Sequence, residues 1–190
     1  MKNIYLISTS VLKENSVVCN NVDDTLLTTG IMEAQEIELQ QTLGSKLYKK
    51  IISLVDTGDI DIEANSDYKV LLDDYCQKVV VYYSVFHAIP SMAIKLKNKG
   101  AVREYSENSQ DAQFNEFEYL RKDIENKAQY FNQRLADYLH QNRGKFPEYT
   151  EPAGCDEIKP NRSSYRSALV LDEPSCPKAG LGYNFRTITL

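Results

Sequence analysis

Tryptophan is missing from this chain, histidine occurs only as His87 and His140, and no apolar run is long enough to cross a membrane. Each shortage removes a class of function. Neither histidine has a second His, a Cys pair or a carboxylate at metal-ligand spacing, which leaves no local zinc motif. There is no G-x-x-x-x-G-K-[ST] loop, and Gly180-Leu-Gly182 stands outside any strand-to-helix context, so it reads as a turn. No G-x-S-x-G elbow and no cysteine-protease context occur either. The neighbouring Asp73 and Asp74 point to different sides of a helix, which suits a solvated face better than paired acid-base work. The expectation is a protein that is not an enzyme and takes no metal or cofactor.

The most apolar stretch, 79–94 (VVVYYSVFHAIPSMAI), falls short of the ~20 residues a spanning helix needs and contains Ser, His and Pro. It reads as a buried helix, with His87 as a core or interface histidine, and no membrane is expected as a partner. The opening MKNIYLISTSVLKEN is too polar and brief for a secretory leader. Cys19, Cys76, Cys155 and Cys176 are widely spaced with no C-x-x-C, which predicts four reduced thiols in a cytosolic setting. An excess of basic residues is lacking too. With 22 Lys and Arg against 27 Asp and Glu, a net charge of −5 and a pI near 5.2, the chain is not a general nucleic-acid binder.

What is present is enough for one core: 190 residues, 42% of them hydrophobic. The expected class is mainly α, a small bundle with two long helices, an extended N-terminal segment (1–27), a helical domain (28–144) and a long extended C-terminal arm (145–190), with short strands allowed at both ends. In the first segment Ile4 to Leu12 reads as extended, and Asn20 to Asp24 as a turn. A helix then starts around Thr28 to Gly30 with Ile31, Ala34, Ile37, Leu39 and Leu43 inward, and Gly44 stops it. Ser45 caps a second helix carrying Leu47, Tyr48, Ile51, Ile52 and Leu54 that ends near Gly58. Asp59, Asp61 and Glu63 lack the frame of a calcium loop and read as a solvated acidic loop.

Residues 66–98 read as one long helix, with Pro90 predicting a kink or break near 86–90 and a connector at 101–105. Residues 109–142 form the clearest helix, its stripe running through Phe114, Phe117, Leu120, Ile124, Ala128, Phe131, Leu135 and Tyr138. Thirteen tyrosines suit half-buried helices or seams between subunits, and Tyr82, Tyr83, Phe86, Phe117 and Tyr130 are the candidates for intersubunit packing.

Five of the six prolines fall after Lys145. The arm they punctuate carries six acidic and six basic residues, and its 46 residues span on the order of 150 Å when stretched. Its tip, Tyr183 to Leu190, is rich in β-branched and aromatic residues and suits addition to a partner's sheet edge. Tyr165, Tyr183, Phe185, Arg186, Ile188 and Leu190 are the candidate partner-binding residues.

Two stretches taken together resemble a known family. Ala34-Gln35-Glu36-Ile37 followed by Leu43-Gly44-Ser45-Lys46-Leu47-Tyr48-Lys49-Lys50-Ile51 is similar to the opening helix pair of head-tail connector proteins of tailed bacteriophages. Ala88-Ile89-Pro90 leading to Lys95-Leu96-Lys97-Asn98-Lys99-Gly100-Ala101-Val102 resembles the next segment in versions from phages of Bacteroidetes hosts. The resemblance spans about 28–144. It implies a non-enzymatic virion protein, made in the host cytoplasm, that forms a ring commonly of twelve copies in the phage neck. Such a ring joins the portal protein to further neck or tail proteins and extends a channel through which double-stranded DNA passes without sequence-specific binding. It also implies that the arm docks on the portal or a neighbouring ring. A ring of acidic chains would let DNA slide rather than stick. The different class left open is a non-viral soluble helical adaptor with a peptide-like binding tail.

Overall fold

The computed structural model describes residues 3–93, 95–97, 100–102, 114–151 and 154–160. They form a mainly α body, as the periodicity predicts, in which three long helices carry the core. The first begins at Asp23, whose carboxylate accepts hydrogen bonds at 2.9 Å from both the amide and the hydroxyl of Thr25. That cap starts α2 (Asp24–Glu33) ahead of the Thr28 to Gly30 expected from the apolar pattern. The helix then runs unbroken through a π-helical stretch, π1 (Ala34–Leu39), into α3 (Gln40–Leu43).

The π stretch decides which residues face inward. A π turn carries an extra residue, which rotates the succeeding turns by about 100° relative to a regular helix. The buried series becomes Ile31, Gln35, Leu39 and Leu43, while Ile37, assigned to the buried face by the sequence pattern, is 45% exposed. Gln35 does not stay unsatisfied in the core. Its side-chain oxygen accepts from the Leu6 amide at 2.8 Å and its nitrogen donates to the Ile4 carbonyl at 3.1 Å, pinning the N-terminal chain.

The segment read as extended over 1–27 is therefore part of the body. Leu6, Ile7 and Leu12 are buried, and after the irregular Asn3 to Ile7 the chain forms α1 (Thr9–Glu14), with Ser8 accepting from the Val11 amide. Serine's short side chain satisfies an orphan amide of the first turn, a signal masked in the sequence by the apolar residues around it.

After Gly44, α4 (Ser45–Thr57) buries Leu47, Tyr48, Ile51 and Leu54 and ends at Gly58, which has φ of +79°. Two 3-10 turns, Asp59–Asp61 and Glu63–Asn65, come next. Here Asp59 accepts from the Thr57 hydroxyl and Asp61 pairs with Lys69. The second long helix is α5 (Ser66–Val70), a π stretch π2 (Leu71–Cys76) and α6 (Gln77–Ala93). It passes through Pro90 and stops at Ala93. Proline there sits in the final turn, where only the Phe86 carbonyl loses its helical donor, so no break is needed. A short antiparallel hairpin, β1 (Lys95–Lys97) with β2 (Gly100–Val102), replaces the helix end and connector expected there.

α6 lies at the centre, packing against both α2 and the third long helix, α7 (Phe114–Gln141). At the α2 crossing, a Cβ on Gly30 would stand 2.6 Å from the Ser84 carbonyl oxygen, so only glycine lets the two backbones come this close. α7 runs antiparallel to α6: Tyr75 stacks on Tyr138 (4.0 Å between centroids), Tyr82 on Phe131 (4.9 Å), and Ile124 packs with Val85 and Ile89. Ile124, Ala128, Leu135 and Leu139 are the buried stripe of α7.

The body does not end at residue 144. Phe146 is fully buried, edge-on to Tyr68 at 5.4 Å, and Tyr149 on α8 (Pro147–Thr150) is 2% exposed. The Tyr68 hydroxyl donates to Glu148 at 2.8 Å, and Lys145 pairs with Asp67. Residues 145–151 are thus a closing turn of the core, and the boundary placed at Lys145 moves toward Pro160.

Candidate functional site

Among the described residues, the features that stand out are two exposed faces and the elbow that the 154–160 segment crosses. The elbow lies between α3 and α4. Gly44 has φ of +77° and ψ of 157°, a backbone region that is essentially glycine's alone. A Cβ there would also meet the Pro160 ring at 2.7 Å. Ser45 makes a two-way pair with the incoming chain: its amide donates to the Ile158 carbonyl and its Oγ accepts from the Ile158 amide, both at 2.9 Å. Gln40 donates to the same Oγ at 3.2 Å and fixes its position.

Two lysines one helical turn apart complete the elbow. Lys46 pairs with Glu151 at 2.9 Å and Lys49 with Glu157 at 3.5 Å. Glu157 also accepts from the Gly154 amide at 2.9 Å, and this bond, followed by Lys49, holds its carboxyl below the usual range. Residues 154–160 form a strap over the elbow in which no residue is buried, and Ile158 is 41% exposed. The hold is thus polar. Each Ser45–Ile158 bond contributes about 1 kcal/mol, and solvent-exposed ion pairs contribute little.

Cys155 within the strap is disulfide-bonded, which corrects the reading of four reduced thiols. Cys19 and Cys76 are free.

The second feature is the pair of outer flanks. Tyr119 is 78% exposed, Tyr130 64% and Leu120 43%, and Tyr119 and Tyr130 lie eleven residues apart, about three turns, on one side of α7. The run 24–43 holds four acids and no base of its own, Asp24 pairs with Lys13 at 2.6 Å, and Met32 (39%) and Ile37 (45%) are exposed among them. The end of this run meets α7 directly, the Thr42 hydroxyl donating to the Asn132 side-chain oxygen at 2.6 Å.

Of the five residues expected to pack between subunits, Tyr130 is exposed, Tyr83 is buried, and Tyr82, Phe86 and Phe117 are half-buried. Tyr83 is buried, bonded to Asn132, and pushed up to about 12 by burial. Tyr82 stacks on Phe131, and Phe86 lies under the Arg121 guanidinium at 4.8 Å. Phe117 packs on the Val85, Ile89 and Ile124 cluster. These four are taken up by the α6–α7 seam of the chain itself, because an apolar stripe packs on the nearest antiparallel helix first. Tyr119, one of the helix tyrosines suited to a half-buried face or a subunit seam, lies off the Phe117, Leu120 and Ile124 stripe and is the most exposed of them. The arm candidates Tyr165, Tyr183, Phe185, Arg186, Ile188 and Leu190 lie outside the described residues.

His87 sits between two carboxylates, Nδ1 at 3.8 Å from Glu33 and Nε2 at 3.9 Å from Glu38. Burial, partly offset by His87, raises the Glu38 carboxyl. The two ring nitrogens face different acids, so the three groups do not converge on one ion, and no metal-binding cluster occurs among the described residues. Among the described residues no helix is long and apolar enough to cross a membrane.

An α-helical body with a strapped elbow and two exposed flanks defines the class. The chain belongs to a family of unknown function, DUF6712, whose profile matches residues 39–159 and so takes in the elbow, α7 and the strap. No curated protein and no solved structure matches the chain.

Proposed function

We propose that this chain is a structural subunit of the neck of a tailed bacteriophage. Copies associate side by side in a ring beneath the portal, joining it to the tail and extending the DNA channel, while the C-terminal arm docks on the portal or on an adjacent ring. The observation that carries the reading is the presence of two unlike exposed faces: the α7 face of Tyr119 and Tyr130, and the run 24–43, with four acids, no base, and Met32 and Ile37 exposed. Unlike faces join copies head to tail, and such contacts generate rings when the rotation closes. The motif resemblance at Gly44 to Ile51 and the net charge of −5, which disfavours adhesion to DNA, support the same reading.

The test is the double variant Tyr119→Ser/Tyr130→Ser, mixed with the portal of the phage that encodes the chain and weighed by mass photometry. Both side chains are exposed, so the helical circular-dichroism signal and the melting temperature stay as in the unaltered protein, while ring assembly drops. Rings formed equally well by the variant would remove the α7 face from the interface.

A further inference from the structure

We propose that the elbow formed by Gly44, Ser45 and Lys49 is a peptide-binding site for an extended acidic segment, occupied by residues 154–160 of the chain itself and able to release them. The proposal stands on the elbow's geometry and not on the neck reading. Each part of the elbow fits a separate part of the segment. Gly44 leaves the space that the Pro160 ring fills, since a Cβ would approach it to 2.7 Å. Ser45 reads the backbone, exchanging two hydrogen bonds with Ile158 as a neighbouring strand would. Lys49 reads the acidic side chain of Glu157, while Lys46 holds Glu151 at the end of α8, outside the strap.

Release is expected from the contrast in anchoring between the two ends of 146–160. Phe146 and Tyr149 are buried and fix the chain as far as α8, whereas none of residues 154–160 is buried. Ordered polar segments without apolar anchors are the parts of a protein that open locally first, far below global unfolding. Opening at the strap swings the start of the arm from the elbow to the end of α8 and adds seven residues, roughly 23 Å when extended, to its reach. It also uncovers a seat with Lys49 and Ser45, open to another copy of the 154–160 segment.

Hydrogen exchange with mass spectrometry on the full chain tests this, comparing peptides over 154–160 with peptides over 146–150 and α4. Exchange in 154–160 is expected to be protected at low salt and to speed at least tenfold in about 1 M NaCl, where exposed ion pairs are screened. The same acceleration is expected in Lys49→Ala, in Ser45→Ala, and on adding a millimolar excess of a synthetic peptide of 154–160 with serine at position 155. In all four cases 146–150 and α4 change less than twofold. Protection of 154–160 and 146–150 that rises and falls together would make the strap part of the cooperative core and overturn the proposal. So would strap exchange that is unprotected at the outset, or that ignores salt, variants and peptide.

Discussion

Replacing Phe146 with alanine removes the largest fully buried side chain of the closing turn. Its ring meets Tyr68 edge-on at 5.4 Å and Tyr138 at 6.2 Å, so the truncation empties a site walled by two aromatics that are themselves held, Tyr68 by its bond to Glu148 and Tyr138 by stacking on Tyr75. Walls held in this way collapse poorly, which places the cost at about 3–5 kcal/mol, the usual span for a buried Phe→Ala. For a chain of this length each kcal/mol moves the melting temperature by roughly 2–4 °C, which sets the fall at about 10 °C. Urea unfolding followed by circular dichroism gives the free energy, and a thermal scan gives the temperature. A loss under about 1 kcal/mol would mean that 145–151 lies on the body without being part of it. A companion pair of truncations separates body from arm. Ending the chain after Pro160 removes none of these contacts, whereas ending it after Gly144 removes all of them and is expected to cost the cooperative transition.

Glu38 has its carboxyl raised by burial, so it contributes stability that is fully present below its unfolded value and lost as pH climbs through the folded one. Glu38→Gln is therefore expected to gain on the unaltered protein as pH rises from about 4 to 7, and a flat difference in urea midpoint would contradict it. Gly30→Ala drives a methyl to 2.6 Å from the Ser84 carbonyl and is expected to cost about 1–3 kcal/mol in the same assay, with unchanged stability counting against the α2–α6 crossing. Cys76 is fully buried and its thiol is raised by burial, whereas Cys19 is exposed. Peptide mapping after a pulse of alkylating reagent should find Cys19 modified and Cys76 untouched until denaturant is added. Fast native labelling of Cys76 would refute its placement.

Long regular features were legible in the sequence. The α7 stripe shows over several turns, and Gly44 and Gly58 stop their helices where glycine alone takes a positive φ. Irregular features were not. A π turn leaves only a phase slip, so Ile37 was placed inside and Gln35, which clips the N-terminal chain, gave no sign of its role. Gly144 and Pro147 announce that a helix ends, but local punctuation does not say what the next residues pack on, and Phe146 was read as arm. The elbow lay in a motif singled out for its resemblance, yet its purpose needed Ile158 and Pro160, more than a hundred residues away. The outward tyrosines were half legible: helical spacing placed them on α7, and only the fold showed which ones α6 had already taken.

The most direct measurement is electron microscopy of the full chain mixed with the portal protein that the neck-ring reading makes its partner. A closed ring of this protein seated on the portal, with the Tyr119 and Tyr130 face of each copy against the 24–43 flank of the next, is the expected result. A chain that stays monomeric and unbound across micromolar concentrations of both partners would contradict the neck-ring reading.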